Sequence, residues 1–112
     1  MMRDAQRIEH MLNFVRRSLE ILDGVDRAEF IAAIGLQEQV EVNMIHLGEA
    51  AARMSDELKE KHPDIPWQEM VGMRNVLTHE YFRVKPTILF ETVTSQFKLL
   101  EHQLEELQIE YP

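Results

Sequence analysis

Between residues 74 and 80 the chain gathers Arg74, Asn75, Thr78, His79 and Glu80 on an otherwise apolar stretch, and Tyr81 follows directly. Histidine is the side chain best suited to take and give protons near neutral pH. Arginine offers a planar positive fork that matches phosphate and the charge of its transition state. An asparagine carboxamide can orient an imidazole. Together these residues suit cleavage of RNA by its own 2′-hydroxyl: a base activates the hydroxyl, a cation stabilises the phosphorane, and an acid protonates the departing oxygen. That chemistry calls for no metal and no cofactor.

The spacing limits how one helix could use them. At about 100° per residue, Asn75 and His79 share a face, and Arg74 shares one with Thr78 and Tyr81. Arg74 and His79 diverge by about 140°. They flank one ligand only if the arginine wraps, the helix end distorts, or a second copy supplies the missing group, which predicts a dimeric site. The same residues also have an ordinary structural reading. A histidine at a helix C-terminus complements the helix dipole, and an arginine is commonly a solvated surface charge.

The elements that must position this segment are helical. Ile8, Leu12, Val15, Leu19 and Leu22 are spaced 4, 3, 4, 3, the stripe of a helix from about residue 2 to 23. Asp23-Gly24 ends it, with Gly24 in the left-handed conformation. Asp26 caps the next helix, whose first apolar turns are Phe30, Ile31 and Ile34, and Gly35 kinks or splits it. Val40, Met44, Leu47, Ala51, Met54 and Leu58 continue the rhythm to about Lys61. Within that run the small patch around Gly48 and Ala50 would let a neighbouring helix approach closely. Residues 62–66 form a turn, and Pro66 suits the first position of a helix through Trp67, Met70, Val71 and Leu77 that ends near Tyr81-Phe82. Pro86 opens a last helix carrying Leu89, Val93, Phe97, Leu100, Leu104 and Leu107. Nothing reads as a strand. The expectation is an all-α, antiparallel four- to five-helix bundle, a single domain over residues 1–112.

Composition narrows the function. The 112 residues are 45% hydrophobic and 29% charged, which is globular rather than disordered. There is no cysteine, so disulfides and thiolate metal sites are excluded. No apolar run approaches a membrane span, and the N-terminus lacks the apolar core of a signal peptide. A cytoplasmic location is expected. The formal net charge of −8 argues against broad coating of nucleic acid, though not against a local basic site. Arg74, Arg83 and Lys85 lie close to His79 in sequence.

Arg74, four intervening residues and His79 form the R-x4-H signature of HEPN-domain ribonucleases, and Tyr81 extends it to R-x4-H-x-Y. This resembles the HepT toxins of HepT/MntA toxin–antitoxin pairs. Gly48-Glu49-Ala50 is similar to that family's G-E-A, and Ile65-Pro66-Trp67 with Gly72-Met73-Arg74-Asn75 is similar to its I-P-W and G-(L/M)-R-N stretches. The likeness runs from about residue 38 to 108. It implies a HEPN-like fold that dimerises, with two motifs facing one cleft, and metal-independent endoribonuclease activity on RNA. In it Arg74, Asn75 and His79 are catalytic, and Glu49 and Thr78 support them. It also implies a partner, a small MntA-like nucleotidyltransferase antitoxin that transfers AMP to Tyr81, in a homodimer or a larger hetero-oligomer. The added phosphate would repel RNA. Two positions depart from the family pattern. Glu80 stands where many relatives carry glycine, and Val42 where many carry a basic residue.

Other candidates read more plainly. His46 and Glu49 share a helix face, but no Glu-x-x-His pair occurs, so the di-iron bundle signature is missing. His46 reads as a packing residue, and His10, His62 and His102 as solvated. Trp67 reads as a core anchor, with base stacking a lesser use. An alternative class of function is a catalytically inactive helical module that docks to a nucleotidyltransferase.

Overall fold

The apolar stripes fold as their spacing dictates. The computed structural model describes residues 3–80 and 83–112. Among them six helices form: α1 (Asp4–Leu22), α2 (Arg27–Ala32), α3 (Ile34–Arg53), α4 (Asp56–Lys61), α5 (Trp67–His79) and α6 (Pro86–Glu110). No described residue is in a strand. The all-α bundle expected from the sequence is what is found. The count exceeds four or five because two helices of six residues, α2 and α4, separate from α3.

On α1 the stripe residues Ile8, Leu12, Val15 and Leu22 are buried together with Met11, while Leu19 is half-buried. All six expected core residues of α6 are buried. Pro86 sits in the first turn of α6, where its missing N–H is no loss. Gly24 has φ +73°, a region that favours glycine. Asp26 caps α2: its carboxylate accepts from the Glu29 N–H at 2.8 Å, and the Glu29 side chain accepts from the Asp26 N–H at 3.1 Å.

Four boundaries differ from the sequence reading. The break between α2 and α3 falls at Ala33, not Gly35, because Gln37 Nε2 donates to the carbonyls of Phe30 and Ile31 and satisfies the end of α2. Phe30 is therefore buried, while Ile31 and Ile34 are exposed. The helix expected to run to Lys61 ends at Arg53. Ser55 caps α4 by accepting from the Leu58 N–H, and Asp4 draws in both the N–H and the hydroxyl of Ser55. Pro66 stands at the N-cap position of α5 rather than at its first helical position, and Trp67 Nε1 donates to the His62 carbonyl at 2.9 Å. The last described helical residue of α5 is His79. His62, expected in solvent, is half-buried against Tyr111.

The Asp4–Ser55 contact makes a prediction. Burial raises the Asp4 carboxyl, but hydrogen bonds from Ser55 and the charge of Arg7 outweigh it and hold it below 3.8. A depressed carboxyl stabilises the fold above its unfolded value and loses that contribution as pH falls through the folded one. Asp4→Asn is expected to be less stable than the native chain near neutral pH, with the difference starting to shrink near about pH 4 and lost as pH falls through the lowered folded value. Thermal unfolding across pH checks this.

Helix α1 runs antiparallel to both large neighbours. Its start meets Ser55, just past the end of α3, and its end lies beside Val93 and Thr94 of α6. Arg16 pairs with Glu101 and Glu105 along that second contact. The principal contacts are α3 with α5, α1 with α3, and α1 with α6. Helix α5 is thus an outer element that packs substantially on α3 alone. No described helix is long and apolar enough to cross a membrane.

Candidate active site

Close approach of α5 to α3 depends on Gly48. A β-carbon there would overlap the Arg74 β-carbon and stand 2.6 Å from the Met70 carbonyl oxygen. The small residue therefore sets α5 down with Arg74 at the contact. From that position Arg74 Nη1 donates to Glu49 Oε1 at 2.7 Å. The arginine side chain is 22% exposed, so much of its stem is covered by the two helices. Its Nε is enclosed with no hydrogen-bond partner among the described residues, which leaves the guanidinium unused donor capacity. Glu49, which family likeness placed beside the motif, thus forms a direct ion pair with Arg74. The other carboxylate oxygen of Glu49 is 4.0 Å from Arg53.

Because α5 is a regular α-helix through His79, the divergence expected from the five-residue spacing holds in the single chain. Arg74 turns inward to α3. His79 is exposed in the last helical turn, and Asn75 is exposed one turn before it. No hydrogen bond joins Asn75 to His79 among the described residues. Thr78 is exposed, and its hydroxyl donates to the Arg74 carbonyl at 2.9 Å and the Asn75 carbonyl at 3.2 Å, which ties it to the helix backbone. Tyr81 lies outside the described residues.

The charges next to the motif partly cancel. Arg83 Nη1 donates to Glu80 Oε2 at 3.0 Å. The negative charge beside His79 is therefore paired, and the same contact engages one of the nearby cations noted in the sequence. An exposed pair of this kind contributes little to stability.

Residues outside the motif gather where α1 meets α3. Phe14 and His46 stack with ring centroids 5.1 Å apart, and Arg17 lies over the Phe14 ring at 5.5 Å. Sequence reading passed over this grouping, although Arg7, His10, Phe14 and Arg17 recur at 3, 4, 3 along one helix face. His46 and Glu49 do not act as a pair, since one stacks on Phe14 and the other holds Arg74. A separate groove of about 430 Å³, lined by Met44, Leu47, Met70, Met73, Phe97 and Leu100, separates α5 from α6 and is mostly apolar.

A family described as Ribonuclease HepT-like matches residues 11–107. A protein of Caldanaerobacter subterraneus subsp. tengcongensis, provisionally named an RNase, is 33% identical over 100 residues, covering 89% of this chain and 89% of that protein. One from Methanocaldococcus jannaschii, also provisionally named an RNase, is 31% identical over 87 residues, or 78% of this chain and 80% of the relative. A third, provisionally named ribonuclease HepT in Thermococcus cleftensis, is 39% identical over 62 residues, 55% of this chain and 56% of its own. No solved structure matches. The match spans all of α3 and α5, which carry Gly48, Glu49, Arg74 and His79, with the second half of α1 and nearly all of α6, and the chain belongs to the HepT-like ribonuclease family.

Proposed function

We propose that this chain is a metal-independent endoribonuclease whose working site is built from two copies. The observation that carries the reading is the contrast within α5: Arg74 is anchored and half-buried by Glu49, while His79 stands exposed. A single α5 supplies an anchored cation and a proton-transfer group but directs them apart. A two-fold dimer would place the arginine of one copy opposite the histidine of the other. Packing of α5 on α3 alone leaves its outer surface free for that arrangement among the described residues.

In the proposed reaction one His79 imidazole removes the proton of the 2′-hydroxyl. The 2′-oxygen attacks the adjacent phosphorus, the bond to the 5′-oxygen breaks, and the imidazolium formed in the first step gives that oxygen its proton. Products are a 2′,3′-cyclic phosphate and a 5′-hydroxyl. Arg74 holds the phosphate and the charge that builds on it. Glu49 positions Arg74 through the 2.7 Å contact. Asn75 orients an imidazole, and Thr78 braces the helix end.

The regulatory part rests on the R-x4-H-x-Y pattern. A nucleotidyltransferase antitoxin transfers AMP from ATP to the Tyr81 hydroxyl, with release of pyrophosphate, and the added anion repels RNA. Co-expression with such an enzyme is expected to add the mass of one AMP per chain and to abolish RNA cleavage, and Tyr81→Phe should block the mass change. Intact-mass spectrometry with a cleavage assay checks both. A chain that binds the nucleotidyltransferase firmly yet leaves RNA intact in every state would instead be a non-catalytic docking module.

A further inference from the structure

The outer face where α1 meets α3 holds residues that the reaction above does not use. Arg7, His10, Phe14 and Arg17 form one stripe of α1; His46, Ala50 and Arg53 form another on α3. All but Arg17, which lies at the edge over Phe14, line a hollow of about 240 Å³ together with Glu49. Phe14 and His46 stack there with their planes 21° apart, and the Arg17 guanidinium covers Phe14. His46 is exposed, so its ring is held by Phe14 on one side and meets solvent elsewhere. An imidazole ordered in this way offers a flat end to a stack, and a base adds to it at little cost in side-chain entropy.

The charge of this face is opposite to that of the whole chain. Arg7 and Arg53 line it and Arg17 lies over its Phe14, against the carboxylates Asp4, paired with Arg7, and Glu49, which reaches from the hollow to Arg74 and stands 4.0 Å from Arg53. The chain as a whole has formal net charge −8. Arg53 is 73% exposed and stands 4.0 Å from Glu49, a loose pair that an incoming phosphate can displace. Beyond Arg17 the surface turns acidic at Glu20 and Glu38, which bounds the patch. Glu49 connects it to the motif, since it lines the hollow and holds Arg74. The hollow is smaller than the roughly 300–1,000 Å³ of typical small-molecule sites, a size for one nucleotide unit rather than a whole cofactor.

We propose that this face is a subsite for single-stranded RNA, in which an unpaired base stacks on His46 and a neighbouring phosphate rests on Arg53, next to the phosphate held by Arg74. The inference rests on the reading of Arg74 and His79 as an RNA-cleaving pair. Its test uses the full chain carrying His79→Ala, so that RNA stays intact, and a short fluorescein-labelled single-stranded RNA followed by anisotropy. Adding His46→Ala is expected to weaken binding about tenfold, and His46→Tyr to restore it. Adding Arg53→Ala should lower the slope of log affinity against log salt by about 0.7, the loss of one phosphate contact. Unchanged affinity and slope in both variants, while the native chain still cuts RNA, overturn the subsite and leave the motif reading standing. A native chain that neither binds nor cuts RNA overturns both. If His46→Ala instead separates the dimer or releases a protein partner with RNA affinity unchanged, the face is a protein contact and the subsite is wrong.

Discussion

His79→Ala is expected to lower RNA cleavage by the purified chain about 10²- to 10⁴-fold, the usual contribution of a positioned proton-transfer group. His79 is exposed at the end of α5, so its removal opens no cavity and should leave thermal stability nearly unchanged. Arg74→Ala is expected to cost about 10²- to 10³-fold through lost stabilisation of phosphorane charge. Arg74→Lys should restore only part of this, because an ammonium cannot reproduce the planar fork that meets both Glu49 and a phosphate. The divergence of the two residues supplies the sharper experiment. Mixing inactive Arg74→Ala and His79→Ala chains, with exchange of subunits, should recover up to roughly a quarter of native activity. Half the dimers would then be mixed, and each would carry one intact arginine–histidine combination. Native cleavage by either single variant would remove that residue from the site. A mixture that stays inactive would mean that both groups act from one chain.

Gly48→Ala is expected to lower stability by about 1–3 kcal/mol, the range for adding a methyl group to a packed contact, and the melting temperature by roughly 5–15 °C. The new β-carbon would meet the Arg74 β-carbon and a backbone carbonyl of α5, and neither can swing aside as a flexible side-chain tip could. Helix α5 must move as a body, and Arg74 moves with it away from Glu49. Cleavage should therefore fall in the fraction that remains folded, beyond what unfolding explains. Gly72→Ala is the contrasting substitution. Its β-carbon meets nothing within 4 Å on the exposed side of the same helix. There alanine should stabilise by about 0.5–1 kcal/mol, since glycine in a helix interior carries the greater entropic cost. Two glycine-to-alanine changes of opposite sign, read by calorimetry, would establish that close approach rather than backbone freedom explains Gly48. Equal behaviour would refute it.

The Gly48 contact shows how far the sequence reached. A small residue in an apolar helix announced that a neighbour comes near, but not which one. The neighbour is α5, and the point of contact is Arg74. Only the packing of distant segments makes that choice, because a missing side chain fits many partners equally well.

The same division runs through the fold. The six apolar positions of α6 and the stripe of α1 were legible because a helix repeats its burial every three or four residues, whatever lies opposite. Asp26, Gly24 and Pro86 were legible because caps and turns act within a few residues. The break after Arg53 was not. The apolar rhythm continues unbroken through Met54 and Leu58, and the carboxylate that captures Ser55 comes from Asp4, 51 residues away in the chain. The break at Ala33 depends on where the Gln37 side chain turns, which periodicity does not encode.

For the site, residue types and spacing alone singled out the segment and the divergence of Arg74 from His79, and the reading of that segment as an RNA-cleaving one leaned on family likeness. Family likeness singled out Glu49. The tertiary structure decided that Glu49 meets Arg74 directly, that Glu80 is paired with Arg83, and that Phe14, Arg17 and His46 form one stack across two helices. The physical reason is range. Helical periodicity and capping are local and can be read along the chain, whereas an ion pair or a ring stack between helices exists only once the core has fixed their separation and rotation.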